Sequence, residues 1–407
     1  MRKTLRRTMA GFGRRSRPVL PGNCGLAKFG KGNDPGPRKH VSAQSLAAVG
    51  HNVVVTETPQ EALGLAATEF EQVQFLRDPQ SGARAIVALH DTRLGPAFGG
   101  IRRRQYPSTD AALADVLRLA EAMTYKCAMA GIEGGGGKAV LLVDDGVDRA
   151  AAYQFLGAFV EQLGGRFYTG PDVGTTDEDL GVLASTTQFG TDPARAEFAG
   201  VSDSTADGVF AAISATATFC ELELRNLRVM VQGLGAVGMR LAYRLAGAGA
   251  HLLVADTDPL LAERAQDELG AEVVAVDAAV TTECDLFAPC ALGGVLTKES
   301  AKALPARAVC GGANNVLGCD EAAAVLHQRG IAYAPDFVAN AGGLVHGATV
   351  QLGGAPPEPS RWNAIGETIA ELLERSRRED VPAGELALRE AQRRLAAVPA
   401  RPFLPGK

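Results

Sequence analysis

The stretch that decides the fold class is LRVMVQGLGAVGMRLAYRLAGAGAHLLVADTD, which runs from Leu227 to Asp258. It consists of an apolar run, a glycine-rich turn, an amphipathic helical segment and a second apolar run. A strand, a G-x-G-x-x-G turn, a helix and a strand in this order are typical of a unit that binds a dinucleotide. Short apolar runs alternate with helical stretches further along, which predicts a parallel sheet wrapped by helices. We therefore predict an α/β fold with a Rossmann-type dinucleotide-binding domain.

The glycine-rich turn supplies the predicted contacts with the cofactor. Gly233 permits the tight turn, Gly235 lets the backbone approach the pyrophosphate, and Gly238 allows the helix to pack closely on the strand. The start of the helix offers unpaired N–H groups and a positive dipole end to the phosphates. The predicted binding segment consists of Gly233, Leu234, Gly235, Ala236, Val237 and Gly238.

The acidic residue at the end of the second strand predicts which dinucleotide is bound. Asp256 stands where a carboxylate accepts hydrogen bonds from the ribose hydroxyls of the adenosine. Its charge would repel a 2′-phosphate, and Thr257 follows it with no adjacent arginine. We therefore predict NAD as the cofactor in preference to NADP. The alternative is a glycine turn in an α/β domain that binds no dinucleotide.

The composition argues against a membrane protein, a disulfide scaffold and a metal centre. The chain has 407 residues, enough for two or three domains, and its 46% hydrophobic and 21% charged residues are ordinary globular usage. No uncharged apolar run reaches the length of about 18 residues that spans a membrane. The seven cysteines form no C-x-x-C pair, and the six histidines form no metal-binding pattern. We expect reduced thiols, a cytoplasmic location and no metal.

The first 50 residues differ from the rest in charge. They hold eleven Lys and Arg residues against one acid, Asp34, and have no apolar periodicity. We predict a disordered basic extension over residues 1–52, with ordered structure beginning near Val53. A targeting peptide and a nucleic-acid-binding arm are alternatives for this composition. We expect no nucleic-acid or membrane partner.

Two lysines beside a glycine run are candidates for chemistry. Lys126 ends a predicted helix, STDAALADVLRLAEAMTYK, and Lys138 follows four glycines in MAGIEGGGGKAVLLVDD. We expect residues Gly131–Gly137 to form a tight turn that brings both amines to one pocket. Neighbouring cations disfavour each other's charge, so the more buried amine can act as a general base while the other holds an anion. The alternative is that both are solvated surface charges.

Other segments predict regular elements around these motifs. ARAIVALH, from Ala83 to His90, is predicted to be a strand, and amphipathic helices are predicted near residues 362–378 and 384–397. The helix before Lys126 is predicted to begin at a Ser108 or Thr109 cap. Its predicted apolar face consists of Leu113, Val116, Leu117 and Ala120.

Seven motifs link the chain to a known family. In chain order they are LGPAFGGIRR, MTYKCAMAGIEGGGGKAV, YTGPDVGTTDEDL, VQGLGAVG, CDLFAPCALGG, GGANN and YAPDFVANAGG. In this order they resemble the amino-acid dehydrogenases of the leucine/valine/phenylalanine branch of the glutamate dehydrogenase superfamily. The similarity covers roughly residues 65–395 and leaves out the basic extension.

The resemblance implies roles for individual residues. Lys138, the lysine of G-G-G-K, matches the general base that activates water, and Asp172 matches the acid that handles protons at the amino group. Lys126 matches the lysine that holds the substrate α-carboxylate. The other implied site residues are Gly99 and Gly100, whose backbone helps to hold the carboxylate, Asn340, which orients the substrate, and Thr205 and Asn315, which lie near the nicotinamide.

The implied reaction is oxidative deamination. Hydride leaves Cα of an L-amino acid for the nicotinamide, water activated by Lys138 attacks the resulting iminium, and Asp172 moves a proton as ammonia leaves. The product is a 2-oxo acid, and the reverse reaction is reductive amination. The family also implies a homo-oligomer whose subunit number stays open.

The predicted domain organisation follows from the motifs and the resemblance. We expect a substrate-binding and oligomerisation domain of α/β type over residues 53–203 and the NAD-binding domain over 204–345. Helices within 346–407 are expected to return and brace the first domain. The active site should lie in the cleft between the two domains, which would exclude water when it closes.

The residue before the Gly-Gly pair predicts the type of substrate. Glutamate dehydrogenases usually carry lysine there, whereas this chain has Phe98, which cannot pair with a buried carboxylate. We therefore expect apolar substrates. Gly170 would enlarge the side-chain pocket, while Phe98 and a nearby Trp362 would shrink it, so leucine, valine, phenylalanine and tryptophan all stay open.

Two other functions are alternatives. One is a glutamate dehydrogenase with an atypical pocket, and the other is an NAD-binding sensor without catalysis. Intact Lys126, Lys138 and Asp172 argue against the sensor. Asp207 and the Glu133–Gly134 pair depart from the usual family residues, which leaves cofactor affinity and turnover rate open.

Overall fold

The computed structural model describes residues 70–144 and 146–399. The predicted basic extension over residues 1–52 and the expected start of order near Val53 lie outside the described residues. Two separate sheets form the framework, one with five strands and one with six. None of the helices described is long and apolar enough to cross a membrane.

The five-stranded sheet comes first in the chain. Its strands are β1 (Gln72–Arg77), β2 (Arg84–Asp91), β3 (Ala97–Arg104), β4 (Gly135–Leu142) and β5 (Phe167–Pro171). They lie in the order β1-β2-β4-β3-β5. β2 pairs antiparallel with β1 and β4, whereas β3 pairs parallel with β4 and β5. The parallel pairs bring the carboxyl ends of β3 and β5 to one edge of the sheet.

Helices cover both faces of this sheet. α1 (Thr109–Met129) packs on one face, and α2 (Arg149–Gln162) and α3 (Asp177–Ala184) pack on the other. The Ser108 side chain caps α1 by accepting a hydrogen bond from the Ala111 N–H. The predicted apolar face of α1 is confirmed, because Leu113, Val116, Leu117 and Ala120 are all buried.

The glycine run lies differently from the prediction. A turn over Gly131–Gly137 is wrong: Gly131 has a positive φ of 63°, but Gly135 already begins β4. A Cβ at Gly136 would clash with the backbone of α1 at Ala120 and Thr124. The glycines of the strand therefore let α1 approach the sheet closely, and they place Lys138 inside β4.

The six-stranded sheet contains the glycine-rich turn. Its strands are β6 (Arg228–Gln232), β7 (His251–Ala255), β8 (Glu272–Val273), β9 (Leu286–Pro289), β10 (Ala308–Val309) and β11 (Ala332–Tyr333). They lie in the order β11-β10-β9-β6-β7-β8, and all pairs are parallel. The chain reverses direction across the sheet between β6 and β9, which is where such sheets bind ligands. The predicted parallel sheet is confirmed.

Helices alternate with these strands. They are α4 (Val201–Phe219), α5 (Gly238–Gly247), α6 (Pro259–Leu269), α7 (Lys298–Ala303), α8 (Asp320–Gln328) and α9 (Asp336–Ala339). α4 precedes β6, and α5 follows the glycine-rich turn directly.

Three helices close the described chain. They are α10 (Gly342–Gly353), α11 (Arg361–Glu379) and α12 (Ala383–Ala396), and the last two agree with the predicted amphipathic helices. α11 packs along α4, and α12 contacts α1, where Arg394 Nη1 donates to the Ala128 carbonyl at 2.9 Å. The last described helix thus returns to α1, which packs on the first sheet, while the predicted domain boundaries stay predictions.

Candidate active site

A cavity of about 300 Å³ lies between the first sheet and the elements around the second. Its walls come from β3, β4, β5 and α1 on one side and from α10 and the loop after β10 on the other. Eight predicted site residues line it: Phe98, Gly99, Gly100, Lys126, Lys138, Gly170, Asp172 and Asn315. A larger cavity of about 610 Å³, beside Arg307 and His327, is lined by none of the predicted site residues.

The centre of the site is an ion pair between the buried Lys138 and the partly buried Asp172. Lys138 lies in β4 and Asp172 directly follows β5, and Lys138 Nζ is 2.8 Å from Asp172 Oδ2. Lys138 is only 6% exposed. Gly100 lies on β3 between them, and a Cβ there would clash with the Pro171 carbonyl and press on Asp172. The glycine of β3 therefore lets β5 deliver the carboxylate to the amine.

Burial sets the protonation behaviour of this pair. Burial lowers the pKa of Lys138 and outweighs the attraction of Asp172. Burial alone would raise the pKa of Asp172, but Lys138 and a second cation, Arg102, hold that pKa below its ordinary value. The pair therefore combines an amine that releases its proton readily with a carboxylate that stays ionised.

Lys126 lies at the end of α1 and reaches the other side of the cavity. Its Nζ donates to Asn340 Oδ1 at 2.6 Å. The pKa of Lys126 is lowered to about 8, mainly by burial and to a smaller extent by Lys138, while the carboxylate of Asp336 opposes the shift. Mutual repulsion of the two lysines is therefore a smaller cause than burial, and the strongest like-charge effect on Lys138 comes from Arg102.

Asn340 is held in one orientation by its neighbours. It is 4% exposed, and its Nδ2 donates to the Ala313 carbonyl at 3.1 Å and to Asn314 Oδ1 at 2.9 Å. These acceptors fix the nitrogen, so Oδ1 is the atom that faces Lys126. The hydrogen bond between Lys126 and Asn340 thus links α1, which packs on the first sheet, to the residue that follows α9.

The glycine-rich turn has the features that a dinucleotide requires. Gly233 has a φ of 93°, and a Cβ at Gly238 would clash with the Gly233 carbonyl. Open space lies where Gly235 would carry a Cβ, so a pyrophosphate can approach the backbone there. Asp256 Oδ2 accepts from the Leu234 N–H at 2.6 Å, so this carboxylate also anchors the turn. The residues present fit a dinucleotide.

Of the two residues expected near the nicotinamide, Asn315 lines the cavity and Thr205 does not. Asn315 lines the cavity with a positive φ of 52°. Thr205 lies within α4, where its hydroxyl donates to the Val201 carbonyl at 2.9 Å, and it is not among the described residues that line the cavity. Its hydroxyl instead lies next to Gly343 near the start of α10, 2.6 Å from where a Cβ of residue 343 would stand.

The remaining wall of the cavity is apolar. The Phe98 and Tyr168 rings stack at 5.3 Å, and Met123, Phe198 and Leu344 line the same cavity. Within residues 70–144 and 146–399, no cluster of three His, Cys, Asp or Glu side chains could hold a metal ion. The site thus combines a buried charged end with an apolar end.

Known proteins share this architecture. The family model described as "Glu/Leu/Phe/Val dehydrogenase, dimerisation domain" matches residues 70–189, and "Glutamate/Leucine/Phenylalanine/Valine dehydrogenase" matches residues 260–350. A leucine dehydrogenase from Bacillus cereus is 40% identical over 337 residues, which cover 81% of this chain and 92% of that protein. The chain belongs to the Glu/Leu/Phe/Val dehydrogenase family.

Two further members support this assignment. A phenylalanine dehydrogenase from Lysinibacillus sphaericus is 40% identical over 338 residues, which cover 79% of this chain and 88% of that protein. The crystal structure of L-tryptophan dehydrogenase from Nostoc punctiforme matches with a TM-score of 0.72 and 34% identity, and covers 83% of this chain and 98% of that chain. As a member of the Glu/Leu/Phe/Val dehydrogenase family, the chain is an amino-acid dehydrogenase that uses a nicotinamide nucleotide. The family, the fold class and the type of activity predicted from the sequence are confirmed.

Sequence reasoning missed Arg102, which lies next to the ion pair of this dehydrogenase. Its Nε donates to Asp172 Oδ2 at 2.9 Å, and its Nη1 donates to Asp115 Oδ2 at 3.0 Å. Asp115 in turn accepts a hydrogen bond from Tyr106 Oη at 2.7 Å. Arg102 stands two residues after Gly100 in the quoted motif LGPAFGGIRR, and period-two alternation along β3 could have placed it on the same face.

Asp336 was also missed. It lines the cavity, and its carboxylate accepts hydrogen bonds from the N–H groups of Val316 at 2.8 Å and Phe337 at 2.6 Å. Burial raises the pKa of Asp336 despite these hydrogen bonds and the nearby Lys126. Its position at the start of α9, three residues after the end of β11 and within the motif YAPDFVANAGG, was the available signal, because the carboxyl ends of parallel strands carry ligand sites.

Proposed function

We propose that the chain catalyses the NAD-dependent oxidative deamination of an apolar L-amino acid to the 2-oxo acid and ammonia, and the reverse reductive amination. The observation that carries this proposal is the 2.8 Å ion pair of Lys138 and Asp172 in the same cavity as Lys126. The buried amine of Lys138, the partly buried amine of Lys126 and the partly buried carboxylate of Asp172 are the groups that a reaction with a substrate carboxylate, an attacking water and a leaving ammonia requires.

The substrate carboxylate binds at Lys126. With a pKa of about 8, this amine is mainly charged at neutral pH and can pair with an anion inside the cavity. Gly99 and Gly100 line the same cavity, and their backbone helps to hold the carboxylate. Asn340, held by the Ala313 carbonyl, orients the bound amino acid through its amide oxygen.

Lys138 and Asp172 carry out the proton transfers. A bound nicotinamide nucleotide supplies the hydride acceptor. Lys138 Nζ, whose pKa burial lowers, takes a proton from the water that attacks the iminium carbon formed when hydride leaves the substrate Cα. Asp172 Oδ2, in contact with Lys138 Nζ, relays a proton to the departing amine. Arg102 keeps Asp172 in place for this step.

NAD rather than NADP is the proposed cofactor. Asp256 directly follows β7 beside the glycine-rich turn, and its Oδ1 and Oδ2 accept hydrogen bonds from the backbone N–H groups of Asp258 and Leu234, respectively. Each carboxylate oxygen can accept a second hydrogen bond, which the adenosine ribose hydroxyls provide. The negative charge opposes a 2′-phosphate at this position. The dinucleotide-binding segment is residues 233–238, with Thr205 and Asn315 towards the nicotinamide end.

An apolar substrate side chain fits the rest of the cavity. Phe98 stands where a cation would be needed to bind a second carboxylate, and the stacked Tyr168 extends the apolar wall. A Cβ at Gly170 would lie 2.8 Å from Thr191 Oγ1, so glycine there keeps the wall clear. The relatives named leucine, phenylalanine and tryptophan dehydrogenase are consistent with substrates of this type.

The wider organisation follows the same proposal. The substrate-binding domain spans residues 53–203, the NAD-binding domain 204–345 and the bracing helices 346–407. The match of residues 70–189 to a domain named for dimerisation supports a homo-oligomer. Light scattering on purified protein would measure the number of subunits.

All six cysteines in the described part of the chain are free, which suits a reduced, cytoplasmic location.

A screen of amino acids tests the proposed function. Purified full-length protein is mixed with NAD or NADP and each L-amino acid, and formation of the reduced cofactor is followed by absorbance. We expect turnover of apolar L-amino acids with NAD and none of comparable rate with L-glutamate. Preferred oxidation of glutamate would support the glutamate dehydrogenase alternative, and NAD binding without turnover of any amino acid would support the sensor.

A further inference from the structure

A buried histidine of α10 has no part in the proposed function. His346 is 3% exposed. It is not among the described residues that line the substrate cavity, although Leu344, Gly347 and Ala348 of the same helix are. Any effect of the imidazole on the reaction must therefore pass through the groups to which it is hydrogen-bonded.

Both ring nitrogens of His346 are hydrogen-bonded to segments from earlier in the chain. Nε2 lies 2.8 Å from the Glu197 carbonyl oxygen, and Nδ1 lies 2.7 Å from Ser204 Oγ. A carbonyl can only accept, so Nε2 carries the hydrogen, and in the neutral ring Nδ1 accepts from the Ser204 hydroxyl. One side chain thus ties α10 to α4 and to the 3₁₀ turn Ala196–Phe198.

The bond to Glu197 acts on a residue of the substrate cavity. The Glu197 carbonyl belongs to the peptide unit that ends at the nitrogen of Phe198. Because this unit is planar, a hydrogen bond to its carbonyl fixes the direction in which the chain enters Phe198. Phe198 is 6% exposed and lines the cavity together with Leu344 of α10. His346 therefore connects two parts of the cavity wall without facing the cavity.

The other contacts of Phe198 are local. Its N–H donates to the Arg195 carbonyl at 3.1 Å, which is a bond within the turn. The Arg195 guanidinium lies over its ring, 5.1 Å from the ring centre, but Arg195 is an exposed residue. Gly200, which follows two residues later with a φ of 83°, contributes no side chain. These contacts do not join the turn to α10, whereas the hydrogen bond from His346 does.

We propose that His346 is a positioning residue that holds Phe198 in the wall of the substrate pocket, and that this wall disfavours large substrate side chains relative to small ones. The inference rests on the proposed function, because it names what limits substrate size in the same cavity. An apolar pocket discriminates by the room that its walls leave, so a wall residue that can move away admits a larger side chain.

The test measures one ratio in the full-length protein, kcat/KM for L-phenylalanine divided by kcat/KM for L-leucine. Phe198→Ala should raise this ratio by about tenfold, because it removes the ring from the wall. His346→Asn retains a polar group near the position of Nδ1 but is too short to reach Glu197, so it should raise the ratio by nearly as much. His346→Gln carries its amide nitrogen near the position of Nε2 and can still donate to the Glu197 carbonyl. It should keep the wild-type ratio.

A double variant separates positioning from a general loosening of the fold. If His346 acts through Phe198, the variant with both Phe198→Ala and His346→Asn should have the ratio of Phe198→Ala alone. Effects of the two substitutions that multiply would show that the residues act independently, and this would overturn the inference.

A control variant makes the same chemical change elsewhere. His327 lies in α8 and outside the cavity, so His327→Asn should leave the ratio as in the wild type. The inference is overturned if Phe198→Ala leaves the ratio unchanged, a result that does not depend on the folding of any His346 variant. It is also overturned if His346→Asn and His346→Gln give the same ratio. Either result with active wild-type protein overturns this inference alone, whereas a wild type that turns over no amino acid overturns the proposed function together with it.

Discussion

Lys138 Nζ and Asp172 Oδ2 lie 2.8 Å apart in a cavity that also contains Lys126. The chain brings them together through neighbouring strands, since β3 pairs with both the strand of Lys138 and the strand that ends before Asp172. The contact is short because Gly99 and Gly100, on the intervening strand, have no side chains. The geometry places a readily deprotonated amine beside an ionised carboxylate, and the predictions below depend on that pair.

Removing the amine should abolish most of the activity. We expect Lys138→Ala to lower kcat by about 10²- to 10⁴-fold, the usual range for a positioned general base. Binding of NADH, measured by fluorescence titration, should stay close to the wild-type value, because the glycine-rich turn lies on the other sheet. Lys302→Ala, an exposed lysine of α7, is the matched control and should retain wild-type turnover. Wild-type turnover by Lys138→Ala would contradict the proposed role.

The low pKa of Lys126 should be visible in the pH profile. The amine must be charged to hold a carboxylate, and its pKa is about 8, so affinity for the 2-oxo acid should fall as the pH rises above about 8. Below that pH the amine is protonated and the effect disappears. The measurement is kcat/KM for reductive amination against pH, since the 2-oxo acid has no amino group of its own to titrate.

Lys126→Arg provides the control for this assignment. A guanidinium stays charged throughout the accessible range, so the variant should lose the alkaline decline even if its affinity is lower at every pH. An unchanged alkaline limb in Lys126→Arg would assign the decline to another group.

Much of this site could be predicted from the sequence because its signals are local. The glycine spacing from Gly233 to Gly238 and the Asp256 position follow from adjacent residues, and they specify a βαβ unit without long-range information. Lys126 and Lys138 were expected in one pocket, and both line the same cavity. The glycine run between the two lysines indicated a shared pocket, although residues 135–137 of that run form part of a strand and not a turn.

Contacts set by strand register and helix packing could not be predicted in the same way. Arg102 meets Asp172 across 70 residues because β3 and β5 pair in one particular register. Leu344 lines the cavity because α10 packs with one face towards the first sheet, and the sequence of α10 is apolar on several sides. The hydrogen bond from Leu234 to Asp256 depends on the same kind of tertiary detail.

Arg102 is expected to act on the reaction through Asp172. It helps to hold the pKa of Asp172 below its ordinary value, so Arg102→Gln should raise that pKa. The acidic limb of the plot of kcat against pH should therefore move to higher pH. In addition, kcat should fall by about tenfold, because Asp172 is held less well in position. Arg84→Gln removes an exposed ion pair with Asp144 and should move neither quantity. A lower kcat with an unshifted acidic limb would indicate only a structural role for Arg102.

Asp256 should determine the preference between the two nicotinamide nucleotides, and the structure separates its two contributions. Its charge opposes a 2′-phosphate, while Oδ2 accepts from the Leu234 N–H at 2.6 Å and anchors the glycine-rich turn. Asp256→Asn keeps an acceptor oxygen for that N–H but loses the charge, so it should weaken NAD modestly and improve NADP. Asp256→Ala loses both contributions, and it should weaken NAD far more than NADP. The dissociation constants of both nucleotides, measured by calorimetry for the two variants, check this difference. Equal losses for NAD and NADP in Asp256→Ala would mean that the carboxylate acts only through the turn, and that discrimination at the ribose comes from other residues.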